Sequence, residues 1–321
     1  MNVRMAIRGA IGVAVSVASV LLLLGTIDLH AVAARISAIE PGWLAIAPVS
    51  LAVQLGLRSM RWALLLTATT HIGVRTIRVI GPLTVGYLAN ALLPARLGEV
   101  ARSVLVARRE AIAFGAVVAS VVVERVLDLA ALLVVGLAIT GVAGIGWLAV
   151  AITGALLAGL MALIGLAPAI MVRLDRFAPT VIRASLRDFL AGIVGVGLRA
   201  SSLALVLSAV AWFGDVALMW AAARSLGIDL PLSAAVAIAV GAALGTALPA
   251  ASGYLGTYEV GAVALGSFAG TAPDTVLAIA IVAHVFAVVP VALLGAITVA
   301  SSGLPLSRTR DDPAGPRKAS A

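Results

Sequence analysis

Cysteine is absent from the sequence and charged residues are scarce. Without cysteine the chain has no disulfide, no thiolate metal site and no cysteine nucleophile. Its three histidines, His30, His71 and His284, are far apart in the sequence, which argues against a zinc site. Only 11% of the 321 residues are charged and 62% are hydrophobic, whereas a soluble domain has about 25% charged and about 45–50% apolar residues. An ordinary soluble enzyme is therefore excluded.

Recognisable catalytic and nucleotide-binding motifs are also missing. The sequence has no HExxH, no aspartate-rich metal motif and no Gly-rich nucleotide loop. We therefore expect no cofactor and no enzymatic activity. A mean hydropathy of +1.17 excludes an outer-membrane barrel, because the short alternating segments of such barrels give a much weaker signal. The remaining class is an all-α polytopic membrane protein.

Long apolar runs predict about six full transmembrane helices within a single transmembrane domain, residues 1–300. At about 20 residues per span, the chain has room for this number. The six runs are 9–27, 43–57, 111–140, 145–171, 201–223 and 275–300. Two further apolar regions, 79–109 and 232–270, are interrupted by Pro94 and Pro249. The polar segment 301–321 is predicted to be a disordered tail.

The placement of arginine predicts the orientation in the membrane, because basic segments stay in the cytoplasm. Five segments are basic, namely the N-terminus, 69–78, 95–109, 173–199 and the tail. Four loops are poor in Arg and Lys, namely 28–42, 141–144, 224–231 and 271–274. This pattern predicts a multi-pass protein of the plasma membrane with both termini in the cytoplasm. The net charge of +8 is explained by this bias, so no nucleic-acid partner is expected.

The same bias places both ends of 79–109 inside and both ends of 232–270 outside. Each region is therefore predicted to be a re-entrant hairpin, and the two hairpins enter from opposite faces. Their tips share Leu-Pro-Ala, Leu-Gly and Glu-Val in the same order, ending with Glu99 and Glu259. The pattern predicts an inverted repeat with halves 1–142 and 143–300. Inverted repeats with Gly/Pro-interrupted segments are typical of secondary transporters.

Four motifs together resemble a known family. They are Arg58-x-x-Arg61-Trp62, Pro94-Ala-Arg-Leu-Gly-Glu-Val-Ala-Arg102, Glu124-Arg-Val-Leu-Asp128 and Gly253-Tyr-Leu-Gly-Thr-Tyr-Glu259. In this order they resemble the flippase-like lysylphosphatidylglycerol synthase transmembrane-region family, over roughly residues 10–300. The best-known members carry a soluble aminoacyl-transferase domain after this region, which is missing from this sequence. The resemblance therefore implies lipid translocation rather than synthase activity.

Fifteen residues are predicted to line a substrate pathway, and none is predicted to be catalytic or to bind a metal. They are Arg58, Arg61, Asn90, Arg96, Glu99, Arg102, Glu124, Arg125, Asp128, Ser252, Gly253, Tyr254, Gly256, Glu259 and His284. Glu124, Arg125 and Asp128 carry the strongest signal, because a charge near the centre of a span costs about 2.5–3.5 kcal/mol. They are either ion pairs that fix this helix to its neighbours or the polar wall of a pathway.

Other candidates also have two interpretations. Arg58 and Arg61 act either as orientation signals or as captors of an anionic head group, since guanidinium binds phosphate bidentately. Glu99 caps a half-helix, pairs with Arg102 or takes up a proton. His284 either titrates near neutral pH or makes a fixed interhelical hydrogen bond. Asp215, near Trp212, is interpreted as a packing or hydrogen-bonding residue and is not included among the fifteen.

The leading hypothesis is a flippase-like transporter of an amphipathic lipid or lipid-linked substrate, which moves through a polar cavity between the halves. Its partners would be membrane lipids with anionic head groups, and a separate lipid-modifying enzyme. The alternatives are a membrane transferase acting on lipid head groups, a small-solute or ion transporter, and a purely structural membrane partner. The sequence carries no signal for substrate, energy coupling or oligomeric state.

Overall fold

The fold is all-α, with no strand in the parts of the chain that the structure describes. A computed structural model describes residues 3–93, 97–140, 146–177, 179–248 and 250–301. The predicted pathway residue Arg96, the whole predicted 141–144 loop and the predicted tail beyond Ser301 lie outside these ranges. The α-helices are α1 (Val3–Thr26), α2 (Leu29–Ser37), α3 (Ile46–Thr70), α4 (Thr76–Leu92), α5 (Leu97–Arg109), α6 (Phe114–Thr140), α7 (Gly146–Phe177), α8 (Thr180–Gly195), α9 (Gly197–Ser225), α10 (Leu232–Ala247), α11 (Thr257–Phe268) and α12 (Pro273–Ser301).

Three described helices are long and apolar enough to cross a bilayer. They are α9, α12 and α3, the last of which is extended by a 3-10 turn at Pro41–Ala45. A fourth candidate combines α1 with α2, which are bent by 92° at the break after Thr26. The predicted six full spans are therefore not confirmed, since the described residues support three or four.

The difference from the predicted number has physical causes. The bend after Thr26 arises because the Asp28 carboxylate accepts hydrogen bonds from the His30 and Ala31 N–H groups and so begins a new helix. Helix α6 covers the predicted 111–140 span, but it carries Glu124, Arg125 and Asp128 in its interior. Helix α7 covers most of the predicted 145–171 span, but the structure does not describe several of its side chains.

Two helical hairpins are formed by α4 with α5 and by α10 with α11. Leu93 and Leu248 directly follow α4 and α10, and both of these residues have extended backbone with ψ of 141° and 150°. Each directly precedes a proline, Pro94 or Pro249, whose ring disfavours the helical conformation of the residue before it. The sequence thus determines where both hairpin tips begin.

Glycines allow the two helices of each hairpin to approach closely. A Cβ on Gly98 of α5 would overlap the Gly86 carbonyl oxygen of α4 and lie 2.6 Å from Asn90 Oδ1. Gly241 and Gly261 face each other in the same way in the second hairpin. Small residues at such crossings are typical of helix packing in membranes.

The hairpins pack against the long helices. Helix α3 packs against α9, and α12 packs against α4, while α6 contacts α3, α8, α9 and α10. Many large apolar side chains point away from the bundle, among them Leu21, Val53 and Leu293. An apolar exterior of this kind is expected of helices that face lipid.

Candidate functional site

The two hairpin tips meet at one cavity in the middle of the bundle. Ser252 Oγ donates a hydrogen bond to the Leu92 carbonyl oxygen over 2.9 Å, which joins the tips directly. The second tip turns sharply at Ser252–Tyr254, where Gly253 and Tyr254 have φ of 69° and 60°. The left-handed backbone at Gly253 is one that glycine adopts without steric cost. The end of α4 and the second tip therefore lie side by side at this cavity.

The cavity has a volume of about 110 Å³. Helices α3, α4, α9 and α12 line it together with the second tip. The lining residues are Leu51, Gln54, Leu55, Arg58, Tyr87, Asn90, Ala91, Asp215, Gly253, Tyr254, Ala287, Val288 and Val291. Pockets that enclose a drug-sized ligand have about 300–1,000 Å³. In this conformation the cavity is therefore closed to a whole lipid head group.

An ion pair between Arg58 and Asp215 forms the charged part of this cavity. Arg58 Nη2 lies 2.7 Å from Asp215 Oδ2, and both side chains are 23% exposed. The Arg58 guanidinium also lies over the Trp212 ring, 5.7 Å from its centroid. Asp215 was not among the residues predicted for the pathway, although an acid inside an apolar span is itself a signal of function. Gln54 and Tyr87 were missed as well, and they carry no distinctive sequence signal.

A second group of charges is more deeply buried and centres on Arg61, which is 2% exposed. Its Nη2 donates a hydrogen bond to Glu124 Oε1 over 3.0 Å, and its Nη1 donates to Ser208 Oγ over 2.7 Å. The same Nη1 pairs with the Asp128 carboxylate. Arg102 adds its Nη2, 3.2 Å from Glu124, and stacks over Trp62 with 4.5 Å between guanidinium and ring centroid. We call Arg61, Arg102, Glu124, Asp128 and Ser208 the buried charge cluster.

The third charge inside α6 pairs elsewhere. Arg125 Nη2 lies 2.9 Å from Glu99 Oε1, at the start of α5. All three α6 charges are therefore paired with residues of other helices. Burial of a charge is tolerated when it is paired in this way.

A fourth group connects α11 with α12. Glu259 Oε1 lies 2.6 Å from His284 Nδ1, and Glu259 Oε2 accepts a hydrogen bond from the Gly256 N–H over 2.8 Å. The second bond caps the first turn of α11, where a carboxylate is also favoured by the helix dipole. The Tyr258 ring stacks on the His284 ring with 4.1 Å between centroids.

The structure thus separates the predicted pathway residues into several places. Arg58, Asn90, Gly253 and Tyr254 line the cavity, and Asn90 Oδ1 also accepts a hydrogen bond from the Gly98 N–H. Ser252 connects the tips. The remaining described candidates belong to the buried charge cluster, to the Glu99–Arg125 pair or to the Gly256–Glu259–His284 group. These three groups do not line the cavity themselves.

A family model of the lysylphosphatidylglycerol synthase TM region matches residues 9–295. The chain belongs to this family. The resemblance drawn from the four motifs is confirmed, and with the apolar helices it identifies a helical, multi-pass membrane protein from a family associated with lipid-related functions. No curated protein and no solved structure matches the chain.

Proposed function

We propose that this protein moves an amphipathic lipid or lipid-linked substrate across the bilayer, as a flippase does, without changing it chemically. The head group would pass through the cavity while the acyl chains remain in the lipid. The observation that carries the proposal is the meeting of both hairpin tips at a cavity whose charged part is the Arg58–Asp215 pair. Membership of a lipid-associated membrane family supports it.

The inverted repeat belongs to the same proposal, and the helix bounds support it. The matching tip residues Glu99 and Glu259 are 160 positions apart. Adding 160 to the bounds of α5 gives 257–269, and α11 is Thr257–Phe268. Adding 160 to the bounds of α6 gives 274–300, and α12 is Pro273–Ser301. Agreement at both helices is expected if the two halves have the same architecture.

Re-entrant hairpins are supported by helix length. Helices α4, α5, α10 and α11 have 17, 13, 16 and 12 residues, whereas a full crossing needs about 20. We propose that the first hairpin enters from the cytoplasm and the second from outside. Each tip would then lie within the membrane, where backbone without helical hydrogen bonds is tolerated because it lines a cavity.

Labelling of single cysteines tests this arrangement, since the sequence contains none of its own. Ile72→Cys and Ala113→Cys flank the first hairpin, while Leu232→Cys and Ala272→Cys flank the second, all at exposed positions. We expect an impermeant thiol reagent to label the first two from the cytoplasm only and the last two from outside only. If the two ends of one hairpin react from opposite sides, that hairpin crosses the membrane and the inverted repeat is rejected.

Arg58 is proposed to bind the anionic head group. Its guanidinium matches phosphate bidentately, and Asp215 occupies it while no substrate is bound. Because the cavity is closed in this conformation, the tips must separate before a head group can enter. Asp215 would then pair with Arg58 again once the head group has left.

Reconstitution tests this role. The full chain is placed in vesicles of phosphatidylcholine and phosphatidylglycerol, and movement of fluorescent phosphatidylglycerol between leaflets is followed by quenching from outside. We expect Arg58→Gln to slow translocation about tenfold or more, which corresponds to a loss of about 1.4 kcal/mol in transition-state binding. Asp215→Asn is expected to slow it less, because the guanidinium stays in place.

Arg224→Gln is the matched control. Arg224 also pairs with an aspartate, Asp229, over 2.7 Å and also lies over a tryptophan, Trp220. It lies at the end of α9 and does not line the cavity. Translocation at the wild-type rate is expected for this variant. Equal rates in wild-type and protein-free vesicles would contradict the proposal, and flux of a trapped water-soluble phosphate instead of lipid would favour a solute transporter.

A further inference from the structure

Glu259 and His284 form a buried acid–base pair beside the second hairpin tip. Their side chains are 10% and 8% exposed, and 2.6 Å separates Glu259 Oε1 from His284 Nδ1. Tyr258 covers the imidazole by stacking on it, with 21° between the ring planes. The pair thus holds an imidazole, a group that exchanges a proton near neutral pH, away from bulk water.

The pair is mechanically connected to the cavity. The second carboxylate oxygen of Glu259 accepts the Gly256 N–H, and Gly256 follows the turn that places Gly253 and Tyr254 in the cavity wall. Gly256 has φ of 83° and a Cβ there would lie 2.8 Å from the Ser16 carbonyl oxygen, so the position of this segment is closely constrained. A change in charge at Glu259 and His284 therefore acts on the same turn that a substrate in the cavity would contact.

The corresponding contacts of the first hairpin contain no histidine. There, Glu99 pairs with Arg125, and Glu124 pairs with Arg102. Arginine stays protonated at every physiological pH. Of the described ion pairs that join α5 to α6 and α11 to α12, the histidine pair is therefore the one that can gain or lose its charge.

The charged groups on the packed elements are few. Helix α10 has no titratable residue, and Arg8 of α1 lies about 12 Å along the helix from Ser16, the residue beside Gly256. Helix α9 contributes Asp215, which is paired with Arg58 of α3. On α3, Arg61 belongs to the buried charge cluster.

Titratable groups of α2, α4 and α12 complete the surroundings. Asp274 of α12 lies about 15 Å along the helix from His284, and it accepts the Asp28 N–H where α2 begins, near His30 and Arg35. Tyr87 of α4 lines the cavity. Arg78 of α4 pairs with Glu110 and comes before Thr84, the α4 residue that contacts Thr298 of α12. Within the described surroundings, the Arg58–Asp215 pair and Tyr87 are thus the charged or titratable groups at the cavity that the second tip borders.

We propose that the Glu259–His284 pair is a proton-binding site that couples lipid movement to a proton gradient. This inference rests on the proposed function. A proton from water on one side binds the imidazole, and the resulting ion pair with Glu259 fixes the second tip. The proton is released to the other side after the tip has moved. Because the substrate and the proton act on the same turn, each changes the affinity for the other.

Leaflet distribution at steady state is the decisive measurement. The full chain is reconstituted in phosphatidylcholine–phosphatidylglycerol vesicles with fluorescent phosphatidylglycerol, and the pH is set either equal or one unit apart across the membrane. A gradient of one pH unit changes the free energy of one coupled proton by about 1.4 kcal/mol, so coupled transport drives a leaflet ratio of up to about tenfold. A protonophore should return the ratio to unity, and protein-free vesicles should show none of this response.

Variants test the site itself. We expect His284→Gln and Glu259→Gln to lose the response of the leaflet ratio to the gradient. His30→Gln, which changes an exposed histidine, should keep it. If the wild-type protein moves lipid but the leaflet ratio stays at unity under a gradient, the proton coupling is overturned and the proposed function remains intact. A response to the gradient that persists in His284→Gln also overturns the proton coupling. If the wild-type protein moves no lipid, both the proton coupling and the proposed function are overturned. The wild-type experiment decides the question even if neither variant folds.

Discussion

Arg61→Ala is expected to destabilise the protein by about 3–5 kcal/mol, the usual cost of removing one partner from a buried ion pair. Arg61 is the residue of the buried charge cluster that contacts both Glu124 and Asp128, which are one turn apart on α6. Without it, Glu124 keeps Arg102, but Asp128 loses its ion-pair partner. Two neighbouring carboxylates would then remain inside the bundle with a single guanidinium.

Thermal unfolding of the detergent-purified full chain measures this effect. Arg78→Ala is the control, because the Arg78 side chain is 51% exposed and its partner Glu110, although 9% exposed, still has Arg109 at 3.8 Å after the substitution. Such a pair contributes about 0–1 kcal/mol. Adding Asp128→Asn to Arg61→Ala should restore part of the loss, since it removes the unpaired charge. An Arg61→Ala protein as stable as Arg78→Ala would show that the cluster does not hold α3 to α6.

Gly98→Ala is expected to cost about 3 kcal/mol, at the upper end of the range for overpacking. The added Cβ would overlap the Gly86 carbonyl oxygen and lie 2.6 Å from Asn90 Oδ1. The backbone oxygen cannot move aside without shifting α4, and displacement of Asn90 would break its hydrogen bond to the Gly98 N–H. The first hairpin therefore has to open slightly, which also moves the cavity wall at Asn90.

Gly56→Ala is the matched control for this substitution. Gly56 also lies inside a helix, α3, but nothing lies within 4 Å of a Cβ built there. Alanine is a better helix former than glycine by about 1 kcal/mol. The unfolding temperature should therefore stay the same or rise in Gly56→Ala and fall in Gly98→Ala. A similar small effect in both variants would show that α4 and α5 are not in close contact.

Local features of the fold could be predicted from the sequence. Leu93 and Leu248 end their helices because a proline follows each of them, and this rule acts between adjacent residues. The placement of arginine predicted hairpins over 79–109 and 232–270, and helical hairpins are present at both places. Their entry from opposite faces stays a prediction until the labelling is done.

Contacts between distant helices could not be predicted. The sequence shows which residues are neighbours along one helix, but it did not identify Glu99 of α5 as the partner of Arg125. Asp215 was overlooked as a site residue for the same reason, because its partner Arg58 lies on another helix. The sequence also did not predict the 92° bend after Thr26, which decides whether α1 and α2 count as a fourth candidate span.

The pairing of α3 with later helices has a consequence for biosynthesis. Arg58 and Arg61 leave the ribosome before any of their partners, since Asp128 follows by more than sixty residues and Asp215 by more than one hundred and fifty. Each unpaired arginine near a helix centre opposes insertion by about 2.5–3.5 kcal/mol. Helix α3 is therefore expected to insert less favourably by itself than it does once α6 can pair with its arginines. The order in which the helices are synthesised thus delays completion of the cavity until α12, the last of its lining helices, has been made.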